Sequence, residues 1–302
     1  MMIQHSGEWL VVSGKRIYFR PIRRGLRAFL ASRATPGLAA TLVVLSTWAG
    51  SAQAQSLALA PALVPYTFKP GQPFQFDLAV ANKGTVPTAL RVSVTDFWYN
   101  DKNEKTFTPP GTSPRSAANW IEFVPRQLTV AGGQTGKVSV MVTPPATVSG
   151  GYYAMVFVES KPELDEKLTS AEKKAVYTNM RLGAMILLTA QNTENYKVEV
   201  ADAQFTPPSA NQSMKIDVLL DNQSNTHIFA TPKIAVLNAR HELIAKSDGE
   251  AKRFLPGQKD RLAASWAGAL QPGTYSAILT ILYGEDKNYT QEFPFTIGTT
   301  EK

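Results

Sequence analysis

The chain of 302 residues has no cysteine and only three histidines. Without cysteine there is no disulfide framework and no thiol for lipid attachment or metal binding. With histidine restricted to positions 5, 227 and 241, most nucleophile–base pairs and transition-metal sites are excluded. The sequence therefore predicts a non-enzymatic protein with no catalytic residues, no metal and no cofactor.

Excess charge is also scarce outside the first segment. Seven of the 31 Lys and Arg residues and one of the 24 Asp and Glu residues fall in residues 1–54, which leaves 24 basic against 23 acidic residues in the rest. A nearly neutral body gives no electrostatic argument for nucleic acid as a partner.

Residues 1–54 have the pattern of an export signal. Six arginines precede the apolar run from Leu38 to Trp48, and Ala52-Gln53-Ala54 fits a cleavage site. We predict a signal peptide over residues 1–54, a periplasmic, secreted or cell-surface protein, and no membrane span after cleavage.

Beyond the signal, short apolar or alternating runs are separated at near-regular intervals by Gly, Pro, Asn and Ser, which is typical of β-sandwiches. Landmarks occur twice: FQFDLAVANKG, with Asn82, matches MKIDVLLDNQS, with Asn222, and GGYYAMVFV matches PGTYSAILTIL. The pattern predicts an all-β chain of two tandem immunoglobulin-like β-sandwich domains, over residues 55–191 and 192–302.

The last strand predicted for the first domain, from Val176 to Ala190, alternates along its length, and Gly183 in its middle disfavours a helix. Its second face also becomes apolar, at Met185 and Leu187, and the neighbouring GGYYAMVFVES is apolar on both faces. Because one face of each sheet in an isolated sandwich meets solvent, these outer faces need a cover.

That cover has two sources. In the first case the second domain, or the charged loop from Ser160 to Ala175, covers the outer faces. In the second case another protein adds a strand at this edge. In the second case the donated strand presents Met180, Leu182, Ala184, Ile186 and Leu188, and a possible interface comprises Tyr153, Met155, Phe157 and Trp98.

The layout resembles that of the PapD-like periplasmic pilus-assembly chaperones. The resemblance rests on four features in chain order: SAANWIEFVPRQLTVAGGQTGKVSVMVTPP, a tyrosine-bearing strand, a variable loop, and a long apolar strand that runs into a second sandwich. It also resembles the tandem immunoglobulin-like surface proteins that accompany WxL-type wall-binding proteins. The first resemblance implies that the last strand of the first domain is lent to a pilus subunit.

The same resemblance implies an Arg on the first strand and a Lys at the end of the lent strand, which together hold the subunit's terminal carboxylate. This chain departs at both places, since SLALAPALVPYTF has no basic residue and the lent strand ends in AMILLTAQ. A buried carboxylate without a cation costs several kcal/mol, on the order of 3–5. We therefore expect a different mode of anchoring.

Remaining polar candidates have plain interpretations. His227 and His241 lie in predicted turns and are expected to face solvent, and a carboxylate pair such as Asp96 with Glu122 is the basis of a weaker hydrolase hypothesis.

The leading hypothesis is an exported chaperone or assembly accessory that binds another exported protein by β-strand complementation. The alternative is a structural or adhesive surface module for a protein or glycan. The oligomeric state is not predicted.

Overall fold

The computed structural model describes residues 57–161, 163–164, 177–209, 211–284 and 286–298. The predicted signal peptide and most of the Ser160 to Ala175 loop lie outside these residues. Within the described ranges, no helix combines the length and the apolar character needed to span a bilayer.

The first half of the described chain forms one sandwich. Its strands are β1 Leu57–Ala60, β2 Leu63–Phe68, β3 Phe74–Asn82, β4 Thr88–Tyr99, β5 Lys105–Thr108, β6 Ile121–Val124, β7 Gln127–Val130, β8 Thr135–Val142, β9 Gly151–Ser160, β10 Glu163–Leu164, β11 Tyr177–Thr178 and β12 Arg181–Ala190. A 3-10 turn, Ala118–Trp120, precedes β6.

Two sheets build this sandwich. One has the order β1-β3-β8-β6, and the other has the order β2-β12-β9-β4-β5, with β7 also paired to β4. β1 and β2 lie in different sheets, because Pro61 stands between them and has no N–H for a continuous ladder. Pro125 separates β6 from β7 in the same way.

The second half forms the second sandwich. Its strands are β13 Val198–Thr206, β14 Met214–Asn222, β15 Ile228–Asn238, β16 Leu243–Asp248, β17 Lys252–Phe254, β18 Lys259–Trp266, β19 Gly273–Leu282 and β20 Asn288–Ile297. They pair as β13-β14-β18 and as β16-β15-β19-β20, with β17 on β15. The predicted all-β fold of two tandem immunoglobulin-like sandwiches is confirmed.

Both sandwiches lie in one compact unit of the chain. The described residues contain no strand between Ala190 and Val198, the interval that includes the predicted domain boundary. The boundaries after residues 54 and 191 stay predictions.

The sequence repeat corresponds to a repeated piece of structure. β3 and β14 both have nine residues and end at a buried asparagine, Asn82 or Asn222. The Asn82 side chain donates to the carbonyl oxygens of Val86 at 2.7 Å and Val130 at 3.0 Å. Asn222 donates to Thr226 and Phe254 in the same arrangement, at 3.0 and 3.1 Å. Each asparagine thus links the turn after its own strand to a second strand of its sandwich through hydrogen bonds.

Each sandwich has its own buried core, formed by alternate residues of its facing sheets. The first core includes Val80, Val140, Val156 and Ile186, and the second includes Val218, Val236 and Leu279. A third apolar cluster lies on the outer face of the β2-β12-β9-β4-β5 sheet and is part of the candidate site.

Candidate functional site

The strand β12 has two differently buried faces. Its even-numbered residues Ala184, Ile186 and Leu188 are fully buried in the first core. Met185 and Leu187, on the other face, belong to the third cluster. The prediction that this strand is apolar on both faces corresponds to two separate buried layers.

The five residues predicted for donation divide along the strand. Met180 and Leu182 are half-buried and pack at the rim of the first core, whereas Ala184, Ile186 and Leu188 lie inside it. Side chains inside the core already have their apolar neighbours, so only the first two have surface to offer without repacking. The role of all five in partner binding stays a prediction.

The residues predicted as a possible interface all belong to the third cluster or pack against it. Tyr153, Met155 and Phe157 are 1%, 4% and 6% exposed, and Trp98 is half-buried against them. Leu255 of the second sandwich, itself 1% exposed, belongs to the same cluster. Of the two sources considered for the cover, the second sandwich therefore contributes, and partner contact by these residues stays a prediction.

The outer edge of β12 is covered over only part of its length. On one side β12 pairs with β9 from Arg181 to Thr189. On the other side β2 pairs in parallel from Met185 to Ala190. Over Arg181 to Ala184 no strand among the described residues pairs with that second side, which leaves about 13 Å of open, unpaired edge.

The direction of the backbone groups on this edge follows from the ladder. The N–H of Met185 donates to the carbonyl oxygen of Ala62 at 2.9 Å, on the β2 side, and the carbonyl of Met180 accepts from Ser160 at 2.8 Å, on the β9 side. Because these directions alternate along a strand, Arg181 and Gly183 direct their N–H and C=O groups toward the open edge. The edge can form main-chain hydrogen bonds with an added strand.

Two side-chain contacts support this segment. Arg181 pairs with Glu159 at 2.6 Å, and its guanidinium lies 3.5 Å from the centroid of the Phe157 ring. Phe157 extends over Gly183, where a Cβ would lie 2.9 Å from the ring. The absence of a side chain at Gly183 thus lets the aromatic ring of β9 reach toward the open edge.

The junction between the sandwiches is held by specific polar contacts. The hydroxyls of Thr189 and Thr226, both buried, are 3.1 Å apart. Arg253 donates to the hydroxyl of Tyr99 at 3.1 Å, and Asn103 donates to the carbonyl oxygen of Lys259 at 2.5 Å. The β4–β5 hairpin therefore contacts the second sandwich directly.

His227 lies in this junction, which corrects the expectation that it faces solvent. Its ring packs edge-on against Tyr153 at 5.8 Å and Phe229 at 5.6 Å, and its Nδ1 is buried without a hydrogen-bond partner. Burial, with a smaller contribution from the charge of Arg253, lowers the pKa of His227 to about 4. Burial also raises the pKa of the Tyr153 hydroxyl. His241 is exposed in the β15–β16 hairpin, as expected.

A cleft of about 610 Å³ opens beside the junction, at the ends of β2 and β12. Its lining is Thr67, Thr189, Gln191, Asn192, Glu194, Tyr196, His227, Ile228, Phe229 and Gly284. Neither Lys nor Arg is among these lining residues. The described part of the lining therefore has no side-chain cation that could pair with a carboxylate.

The carboxylate considered for hydrolysis has a structural role. Asp96 is fully buried and accepts hydrogen bonds from the backbone N–H groups of Thr112 and Ser113, both at 2.8 Å, and from the hydroxyl of Ser116 at 2.5 Å. It thereby holds the loop that follows β5. Among the described residues no group of three or more His, Asp or Glu side chains is arranged to hold a metal ion.

Comparisons with known proteins give structural likenesses alone. No family model and no curated protein matches the chain. Among solved structures, the class 5 fimbriae chaperone CfaA has 10% identity and a TM-score of 0.43, over 78% of this chain and 98% of that one. The E. coli chaperone DraB has 12% identity and a TM-score of 0.38, over 80% and 96%.

A PapD-like domain of human CEP192 is also similar, with 15% identity and a TM-score of 0.29 over 45% of this chain and 85% of that one. Solved structures similar to the chain therefore include PapD-like chaperones, as the sequence resemblance predicts. At these identities and TM-scores the likeness carries no argument about function, which rests on the geometry of the chain.

Proposed function

We propose that this protein is an exported, non-enzymatic assembly chaperone or accessory that binds another exported protein by β-strand addition to β12. The observation that carries the proposal is the open edge from Arg181 to Ala184. It joins outward-directed backbone groups to half-buried apolar side chains, the combination by which β-augmentation obtains both affinity and selectivity.

The geometry also narrows the part of β12 that meets the partner. Met180 and Leu182 flank the open stretch at the rim of the core, so an added strand would extend the first sandwich there and cover them. Ile186 and Leu188 lie where β2 already pairs, and we assign them to the anchoring of β12 in its own core. The predicted signal peptide implies export, and the same proposal takes the periplasm as the destination, with secretion or the cell surface as the alternatives.

The test removes one outward N–H and leaves the β9 ladder intact. Proline is tolerated in a strand where its missing N–H faces an open edge, so Arg181→Pro should fold. Arg181→Ala is the matched control, because it also loses the Glu159 pair and the Phe157 contact but keeps the N–H. Thermal unfolding of both variants checks that they are folded.

The full chain and both variants are purified under mild conditions from the native host and analysed by native mass spectrometry. We expect a stoichiometric adduct with another exported protein in the wild type and in Arg181→Ala, and its loss in Arg181→Pro. In the complex, amide hydrogen exchange at Arg181 and Gly183 should slow. An adduct that survives Arg181→Pro, or a wild-type chain with no adduct, would refute strand addition at this edge.

A further inference from the structure

The cleft beside the junction combines a carboxylate with aromatic rings. Glu194 is half-buried in the lining and makes no ion pair or hydrogen bond with any described residue. Tyr196, His227 and Phe229 line the same cleft, and Phe229 is 40% exposed. The Glu194 carboxylate is therefore free to pair with a ligand that enters the cleft, beside aromatic rings that a cation can contact.

The rings are held rigidly in place by the fold. Phe229 contacts the His227 ring edge-on at 5.6 Å, and His227 in turn contacts Tyr153 of the first sandwich. The Tyr196 ring packs on Gly284, where a Cβ would lie 3.0 Å away. Aromatic faces around a carboxylate attract organic cations, through the ring quadrupole and through direct charge pairing.

The charges around the cleft agree with that chemistry. Among the described residues of the lining, Glu194 is the one that carries a charge, since His227 is held neutral by burial. Arg253, whose charge acts on His227, donates to the Tyr99 hydroxyl and is not part of the lining. An anion entering here would meet Glu194 without a compensating cation.

We infer that this cleft binds an organic cation, a lysine or arginine side chain of the bound protein, between Glu194 and the rings of Tyr196, His227 and Phe229. The inference rests on the proposed function only for the source of that side chain. The recognition itself is a property of the cleft.

The experiment uses small probes, so that it does not depend on strand addition. The full chain, labelled with ¹³C at histidine and phenylalanine, is titrated by NMR with n-butylammonium, with methylguanidinium and with acetate. The two cations mimic lysine and arginine separately. We expect saturable shifts of the His227 and Phe229 ring signals with one or both cations and none with acetate.

Variants assign the effect to the cleft. Glu194→Gln should weaken cation binding about tenfold, whereas Glu199→Gln, an exposed carboxylate on β13, should leave it unchanged. Arg181→Pro should also leave it unchanged, which separates this site from the open edge. Equal shifts with acetate, no saturable shift with either cation, or full binding in Glu194→Gln would overturn the inference.

Discussion

In the first sandwich the last strand, β12, has β9 on one side and β2 along the second half of the other, whereas β20, the last strand of the second sandwich, pairs with β19 alone. Both strands therefore have an unpaired stretch of edge among the described residues. An unpaired edge invites pairing with another chain unless the sequence prevents it.

The second sandwich prevents it. The N–H of Tyr283 donates to the carbonyl of Lys287 at 2.9 Å, so the odd-numbered residues of β20 direct their backbone groups toward β19 and the even-numbered ones direct theirs outward. Pro294 therefore stands at an outward position and has no N–H to offer, and Glu292 adds an exposed charge beside it. Proline and inward or edge charges are the usual means of blunting an edge strand.

The open stretch of β12 has neither device. It contains Gly183 and no proline, and the charge of its one cation, Arg181, is paired with Glu159. Two copies of one sandwich plan thus differ at the place where strand addition is possible. Residues that hinder pairing stand on the edge of β20 and are missing from the open stretch of β12.

The largest expected effect tests which part of β12 belongs to the core. Ile186→Ala should destabilise the protein by about 2–5 kcal/mol, because it empties a fully buried site. Leu182→Ala, at the half-buried rim, should cost only about 1 kcal/mol. Urea unfolding measures both. A similar cost for the two variants would show that the rim belongs to the core as fully as Ile186 does.

Acidification should weaken the protein through the junction that joins the two sandwiches. The folded pKa of His227 is about 4 and lies below the ordinary value of 6.5, so the unfolded chain binds this proton first as the pH falls. The contribution of His227 to the free energy of unfolding is therefore fully present above pH 6.5. It falls by about 3 kcal/mol at most between pH 6.5 and pH 4, and this group causes no further loss below pH 4.

The measurement is urea unfolding at pH 7, 6, 5 and 4. His227→Gln should flatten the decline, and His241→Gln, a change of the exposed hairpin histidine, should not. If the wild type and His227→Gln lose stability in parallel, the junction histidine is not the group responsible.

The equivalence of the two sandwiches can be tested at their shared asparagines. Asn82→Ala removes the donor from one buried and one part-buried carbonyl group, and Asn222→Ala removes it from two buried ones. We expect each change to cost about 2–4 kcal/mol. Calorimetric melting of both variants gives the comparison. A large cost for one and a negligible cost for the other would mean that the repeated geometry does not carry equal weight in the two domains.

The smallest effect on stability, and the most direct one on the edge comparison, concerns Pro294. Pro294→Val restores an outward N–H on β20 and should change the free energy of unfolding by no more than about 0.5 kcal/mol. It should also promote self-association, measured by sedimentation velocity. Thr290→Val is the control, since it adds the same side chain on the same edge without adding an N–H. Equal association of the two variants would assign the effect to hydrophobicity alone.

Local pattern was a good guide to the framework. Alternation and turn residues predicted most strands, the two sandwiches and the Asn82/Asn222 repeat, because each depends on neighbours in the chain. Local pattern gave a wrong prediction where contacts between distant segments determine whether a side chain is buried. The sequence assigned His227 to solvent because it sits in a turn motif, and only packing of the two sandwiches buries its ring against Tyr153.

The same limit applies to the candidate site. Alternation along β12 identified the five residues on one face, but it carries no information on which of them a second strand covers. The parallel pairing of β2 from Met185 onward separates a core half from an open half. Glu194 had no sequence signal at all, since its position in a cleft depends on His227 and Phe229, more than 30 residues away.

By itself the sequence determined the class of this protein: an all-β pair of sandwiches, without cysteine chemistry and with a near-neutral body. Those features depend on composition and on the alternation of apolar and polar side chains along a strand, and a short stretch of sequence already shows both. Tertiary structure alone decided which strand edge is open, which is blunted, and where a carboxylate meets aromatic rings. These properties depend on which strands pair across the fold and on how much of each strand's edge its neighbouring strand covers.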